Sequence, residues 1–414
     1  MARSRPNPDG GIRRRPKDRK AQIARVSAEA FSALGYHAVS METIASRVGI
    51  SATALYRHYP SKYDLFRDAV LAMGQQLVEC TAFADDAPPD AGTLRRLIAA
   101  LTDTALINRE SGGLYRWEAR YLRGDDQTTL GAQIRTVNRR IHRPLAALRP
   151  ELTSRQRWTL SSSMLSAIGS IVDHRAKLPA VQIRAVLAEI AIAISTADVL
   201  DSPDGPAAGT PTPAAVEPAK YEALLTESLR LFNLNGYRDT TMDEIASAVG
   251  MPTSGIYRYF SGKSDILAAA FRRAADRLSA EVSSILGAVP DPEEALTALI
   301  DAYVARSFEQ PELDYVYYAE RANMAPADQK ILRNLQRSTV ESWTQLVVSV
   351  RPDWMPGQAQ FAVHAAMALV IDLGRLMHYD NTAQSRATVC RLLDLTLLGR
   401  YRLRTTLSAD HANW

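Results

Sequence analysis

Apolar residues recur at helical spacing through most of the chain. Ile23, Val26, Ala30, Phe31 and Leu34 fall on one face of an opening helix. Gly35 suits the left-handed residue that ends such a helix, and Ser40 suits the cap of the next. Met41, Ile44, Ala45 and Val48 then repeat as i, i+3, i+4, i+7. Gly49 permits a sharp turn, Ile50 fills the space between helices, and Ser51 caps a short third helix running to about Tyr59. Leu55 and Tyr59 point to the core of that helix, so Thr53, Ala54, Arg57 and His58 face outward. Ser61 with Asp64 forms a capping-box pattern, opening a fourth helix that carries Leu65, Phe66, Val70 and Met73. Periodicity of this kind covers residues 18–200 and resumes from 218 to about 402. Strand alternation is not found, which predicts an all-α fold.

The segment from Ser27 to Val70 occurs twice, at a shift of 201 residues and without a gap. GYHAVSMETIASRVGISATALYRHYPSKYDL returns as GYRDTTMDEIASAVGMPTSGIYRYFSGKSDI. The second copy repeats the logic. Met242, Ile245, Ala246 and Val249 form its buried face, and Thr241 with Glu244 makes a capping box. Gly250 turns the chain, and Thr253, Ser254, Gly255, Arg258 and Tyr259 face outward. A weaker match continues at a shift of 202, pairing Glu118, Leu122, Asp126 and Leu130 with Glu320, Met324, Asp328 and Leu332. Two copies of one folded unit follow. The expected order is an arm (1–17), a helix-turn-helix head (18–76), a helical body (77–200) and a Pro/Gly-rich linker (201–217). A second head (218–276), a second body (277–402) and a tail (403–414) complete it.

Charge changes the picture at one end. Residues 1–20 hold eight Lys or Arg and two Asp, a balance of +6 within a chain of net charge +4, so the remainder sums to about −2. Arg13, Arg14 and Arg15 lie in this arm, just before the first head. A solvated tail is the plain reading; beside a DNA-docking motif, phosphate or minor-groove contact is the better one. Lys62 stands at a helix N-terminus, badly placed for the macrodipole. That suits either a phosphate nearby or a solvated surface lysine.

The remaining composition excludes more than it suggests. Cys80 and Cys390, one per half, do not suggest a disulfide framework, and a reducing cytosol is expected. No secretory signal is visible. The apolar stretches near Ile190–Ile194 and Phe361–Ile371 read as too short or too interrupted to cross a bilayer, so no membrane partner is expected. The histidines lack metal-ligand spacing, and there is no phosphate-binding Gly loop or nucleophile elbow, so neither enzyme, metal nor cofactor is expected.

The paired motifs, GYHAVSMETIASRVG with YRHYPSKYD and GYRDTTMDEIASAVG with YRYFSGKSD, resemble the N-terminal domain of TetR-family transcriptional repressors. The resemblance is specific over about 19–75 and 220–275 and generic elsewhere. It implies operator binding by two-fold pairs of heads, small-molecule pockets in the bodies, dimerisation through the last two helices, and release of DNA on ligand binding. By position it sets Ala52, Thr53, Ala54, Tyr56 and His58 toward the major groove, with Ser40, Tyr56 and Lys62 on phosphates. In the second copy these become Thr253, Ser254, Gly255, Tyr257 and Tyr259, with Thr241 and Lys263 on phosphate.

The copies are unequal. Lys220 before the second head faces Glu217, Glu222 and Glu227, so the first head is expected to supply most affinity. The final helix pairs are expected at about 154–177 and 181–199, and at 357–379 and 383–400. They would form a four-helix bundle within one chain, making a pseudo-dimer, or between two chains. A linker of about 17 residues spans up to roughly 55–60 Å, against ~34 Å for one DNA turn. Pocket candidates are Tyr115, Trp117, Tyr121, Trp158 and Met164 in the first body. In the second they are Tyr303, Tyr315, Tyr317, Tyr318, Trp343, Phe361, Met367 and Met377, a more aromatic set. Ordinary core packing explains any one of these equally well. Glu118 with Arg120, or Glu320 with Arg321, would orient a polar headgroup or form surface or interface ion pairs. The function expected is a DNA-binding repressor that a small apolar or amphipathic ligand releases from an imperfect palindrome. The alternatives are a helical protein-interaction scaffold whose heads no longer touch DNA, an activator, or a nucleoid-type binder.

Overall fold

The computed structural model describes residues 16–199 and 220–400. The basic arm with Arg13–Arg15, the 201–217 linker and the 403–414 tail lie outside the described residues. Among those residues the fold is helical, with no strand.

The first half runs α1 (Pro16–Leu34), α2 (Met41–Val48), α3 (Ala52–Tyr56), α4 (Lys62–Thr81), α5 (Ala91–Ile107), a π-helical turn Leu114–Glu118, α6 (Gly124–Leu148), α7 (Ser154–Gly169) and α8 (Ala180–Ser195). The second half repeats it as α9 (Lys220–Asn235), α10 (Met242–Ala248), α11 (Thr253–Ile256), α12 (Lys263–Ala288), α13 (Pro292–Glu309), α14 (Pro311–Glu320), α15 (Pro326–Val350), α16 (Pro356–Leu376) and α17 (Ala383–Leu398). Two expected helices end early. α3 stops at Tyr56, not near Tyr59, and α7 gives way at Gly169 to a single 3-10 turn and then to extended chain before Pro179.

The chain divides into two compact units. One holds the residues up to Gln75 together with Glu110–Gly131; the other holds Gln76–Arg109 and everything from Ala132 onward. The first unit is the first head with the turn that follows α5. Its aromatic centre joins Phe31, Tyr36, Phe66 and Tyr121, with Tyr36 lying 4.6 Å from Phe66 and 5.4 Å from Tyr121 between ring centroids.

The second unit contains the second head and the terminal helix pairs of both halves. There α7 packs on α16, α8 on α17, and each pair on itself, giving a four-helix bundle inside one chain. The sequence explains the fit. Ile183, Val186, Leu187, Ile190 and Ile194 keep helical spacing along α8 and are all buried. Both helices of the α7–α16 pair bury small residues: Ser163, Ser166, Ala167 and Gly169 in α7, and Ala359, Ala362, Ala365 and Ala366 in α16. Ser166 donates to Asp372 between them at 2.6 Å. By length and composition α16 is apolar enough to cross a membrane, with a mean hydropathy of 1.3 over 18 residues, contrary to the interrupted stretch expected around Phe361–Ile371. Within the fold, 72% of that window is buried, because this helix is the centre of the bundle.

Candidate nucleic-acid interface and cavity

Each head is set by caps that its sequence contains. Ser40 accepts the N–H of Thr43 and Ser51 that of Ala54, both at 3.1 Å. Gly49 takes φ 77°, which frees α3 to cross α2. Leu55 on α3 and Tyr59 in the chain just after it are buried. Thr53, Tyr56, Arg57 and His58 are exposed, while Ala52 and Ala54 are half-buried. In the second head Thr241 and Glu244 form the full capping box, and Ile256 and Phe260 are buried. Ser254, Tyr257, Arg258 and Tyr259 are exposed, with Thr253 and Gly255 half-buried. Pro252 precedes α11 and supplies no side-chain cap, and α11 is one turn long. Met242 and Val249, expected in the core, are only half-buried.

The two interfaces differ in charge. Residues 40–62 carry Arg47, Arg57 and Lys62 against Glu42, a balance of +2. Residues 241–263 carry Arg258 and Lys263 against Asp243 and Glu244, a balance of zero. Arg47, which becomes Ala248 in the second copy, and Arg57 are both exposed and make no ion pair among the described residues.

The lysines expected on phosphates are placed otherwise. Lys62 Nζ donates to the carbonyls of Tyr36 at 3.1 Å and His37 at 3.5 Å, and sits 4.5 Å from the centre of the Tyr36 ring. Lys263 Nζ donates to the carbonyls of Tyr237, Arg238 and Thr240 at 2.6–3.0 Å. Burial lowers the Lys263 pKa from its ordinary value. Each cation therefore closes the loop after the first helix of its own head. Thr241 is likewise engaged, with Glu244, in its cap.

That loop has a second tie. Glu118 Oε2 accepts the backbone N–H of Tyr36 at 2.7 Å, and Glu320 Oε1 accepts that of Tyr237 at 3.1 Å. Both glutamates are buried. Each ties the loop of its own head, and their matching roles fix the structural alignment of the two halves.

The repeated three-helix head, its caps and this shared tie decide the family. Two stretches, residues 23–69 and 224–270, match the family model described as bacterial regulatory proteins, tetR family.

The chain carries two TetR-family heads in tandem.

Among characterised TetR-type relatives, it is 41% identical over 68 residues to the HTH-type transcriptional activator FasR of Mycolicibacterium smegmatis, covering 16% of this chain and 31% of that protein. It is 28% identical over 120 residues to the HTH-type transcriptional regulator HbdR of Aromatoleum sp., covering 29% of this chain and 52% of that one. The chain thus spans about a third and about half of the lengths of these relatives. Among solved structures, the TetR family regulator PfmR from Thermus thermophilus is 22% identical and matches with a TM-score of 0.39, over 43% of this chain and 99% of that one.

A cavity of about 120 Å³ lies in the second half of the chain. Of the pocket candidates, Tyr303, Tyr317, Tyr318 and Met367 line it. The others are placed elsewhere. Trp343 is fully buried behind Tyr303, edge-on at 5.7 Å. Phe361 is buried in the four-helix bundle against His174. Trp117 is buried in the first unit, Tyr121 stacks on Tyr36, and Trp158 leans on His142 at 5.8 Å. Sequence reasoning missed Phe271, Arg306, Asp314 and Gln336, all of which line the cavity. Phe271 and Leu332 belong at once to the cavity wall and to the apolar core of the second head.

Proposed function

We propose that this protein is a sequence-specific, DNA-binding transcriptional repressor that a small molecule releases from its operator. The observation that carries the reading is the exposed face of α3. Thr53 and Tyr56 on α3, and Arg57 and His58 in the turn after it, stand free of the core above the buried Leu55 and Tyr59, and Arg47 and Arg57 make no ion pair among the described residues. Small residues at 52–54 let such a helix approach base edges closely, and the unpaired arginines suit phosphates. Tyr56 stays in the proposed contact set; Ser40, Lys62, Lys263 and Thr241 leave it because their polar side-chain atoms have other partners.

The first head supplies most of the affinity, supported by its balance of +2 against zero in the second. The second head reads a divergent half-site through Ser254, Tyr257 and Tyr259. One chain occupies both half-sites as a pseudo-dimer, supported by the packing of α7 and α8 on α16 and α17. The cavity of the second half is the effector site. Because Phe271 and Leu332 serve both cavity and head core, filling the cavity displaces the residues on which α10 and α11 rest.

A footprint of the full chain on its own promoter region tests this. Protection of two half-sites by one chain, weakened across all sequences by replacing Arg13–Arg15 with Ala and altered in base preference by Thr53→Ala or His58→Ala, is the expected result. Lack of any protected site favours the scaffold reading.

A further inference from the structure

The chemistry of the cavity wall names a ligand class. Asp314, on α14, is half-buried and lines the cavity. Among the described residues its one hydrogen-bond donor is Ser307, at 2.6 Å, and it has no ion pair. Burial raises its pKa from the ordinary aspartate value, against the Ser307 hydrogen bond and the Arg306 charge, which lower it. Arg306 also lines the cavity, but Glu281 holds its guanidinium at 2.5 Å and the Tyr303 ring covers it at 5.2 Å. Counting that pair as neutral, the cavity keeps one negative charge.

Around it stand three tyrosine rings whose orientation is fixed. Tyr317 donates to Gln336 Oε1 at 2.8 Å, and Gln336 Nε2 donates to the Tyr318 hydroxyl at 3.4 Å. Tyr317 and Tyr318 meet edge to face, 5.4 Å between centroids. Tyr303 is braced by Trp343. Ring faces attract cations by their quadrupole, and more strongly where water is excluded.

The first half is an internal control. Counting back from the equivalent Glu118 and Glu320, Asp314 corresponds to Gly112, Tyr318 to Arg116 and Gln336 to Ile134. Within α5 and α13, which begin 201 residues apart, Tyr303 corresponds to Thr102. The acid and two of the rings therefore belong to the second half alone, and one ring position there is a cation in the first.

We propose that this cavity takes an organic ammonium ion with an apolar body, its charge held between Asp314 and the faces of Tyr303, Tyr317 and Tyr318. The proposal rests on the reading of the cavity as the effector site. Leu278, Leu313 and Leu335 supply the apolar wall for the rest of such a ligand.

Three probes of one size separate the possibilities: 2-phenylethylamine, 2-phenylethanol and phenylacetate, titrated calorimetrically into the full chain at neutral pH. The amine is expected to bind at least tenfold more tightly than the alcohol, and phenylacetate more weakly than either. Asp314→Asn is expected to remove the amine's tenfold advantage over the alcohol. Tyr318→Phe, which keeps the ring face, is expected to retain the advantage, and Tyr318→Arg, which copies the first half, to abolish amine binding. Should Asp314→Asn fail to fold, the Tyr318 pair decides the matter. Alcohol or phenylacetate equalling the amine overturns the ammonium assignment and leaves the effector cavity standing. Failure of all three to bind overturns both.

Discussion

The carboxylate of Glu118 accepts the backbone N–H of Tyr36 at 2.7 Å, 82 residues away in sequence. The bond holds the loop between α1 and α2, which sets the angle at which α3 is presented. Removing the acceptor leaves a buried N–H unpaired, at a cost of roughly 1–3 kcal/mol. Glu118→Ala is therefore expected to speed hydrogen exchange at the Tyr36 amide and to weaken DNA binding by the first head. Glu118→Gln, whose side-chain oxygen still accepts, should do much less. Glu320→Ala is expected to act on the Tyr237 amide and leave Tyr36 unaffected; exchange at Tyr36 that is unchanged in Glu118→Ala would remove the tie.

Lys62 and Arg57 should separate in a salt titration. Removing one cation from a phosphate lowers the slope of log affinity against log salt by about one. Arg57 is exposed with no ion pair, so Arg57→Ala is expected to show that drop. Lys62 is committed to the Tyr36 and His37 carbonyls, so Lys62→Gln should lower the thermal stability of the first head and leave the slope nearly unchanged. A slope reduced by Lys62→Gln as much as by Arg57→Ala would return the lysine to the phosphate backbone.

These two residues also show how far the sequence reaches. The heads are legible because their determinants are local: Ser40, Ser51 and the Ser61–Asp64 pair each act within three residues, and each caps as expected. The carbonyl ties of Lys62 are invisible in the sequence because its acceptors lie about 26 residues away on a loop, where spacing carries no information. Asp314 escapes notice for a related reason. It shares α14 with Glu312 and Glu320, and acids on a short helix read as solvated until packing shows which of them turn inward. The signal available is divergence within the repeat: Gly112 in the first copy where the second has Asp314, close to Arg116 in place of Tyr318.

Gly374 is a packing requirement. A Cβ there would lie 2.3 Å from Cε1 of Tyr379, whose own backbone takes φ 51° to bring its ring back onto α16. Tyr379 then meets Phe308 at 5.7 Å between centroids. Gly374→Ala would ordinarily favour a helix; here it forces the ring out, and a loss of about 1–3 kcal/mol is expected. Thermal denaturation of the single variants and of Gly374→Ala with Tyr379→Ala gives the check. The double variant should lose less than the sum of the two, and strict additivity would place the strain elsewhere.

The last prediction concerns acid. His174, from the first half, and His364, on α16, stack with centroids 3.9 Å apart and planes 4° from parallel. His174 Nδ1 accepts the N–H of Ala176, which leaves the proton on Nε2, where it has no partner. Burial is the main cause that lowers both pKa values; Arg109 opposes a charge on either ring, and Arg175 and His364 oppose one on His174. His364 falls to about 4 from an ordinary 6.5. The sign follows from proton counting: between those values the unfolded chain binds the proton and the folded chain does not. Stability therefore rises with pH across that window and is lost as pH falls below 6.5, by on the order of 3 kcal/mol for His364 at full protonation. The pair sits in the bundle where α16 meets the first half. Urea unfolding at a series of pH values is expected to show a midpoint falling steadily from pH 7 to pH 4, with His364→Gln flattening the fall. A midpoint equally pH-dependent in that variant would shift the effect to other groups.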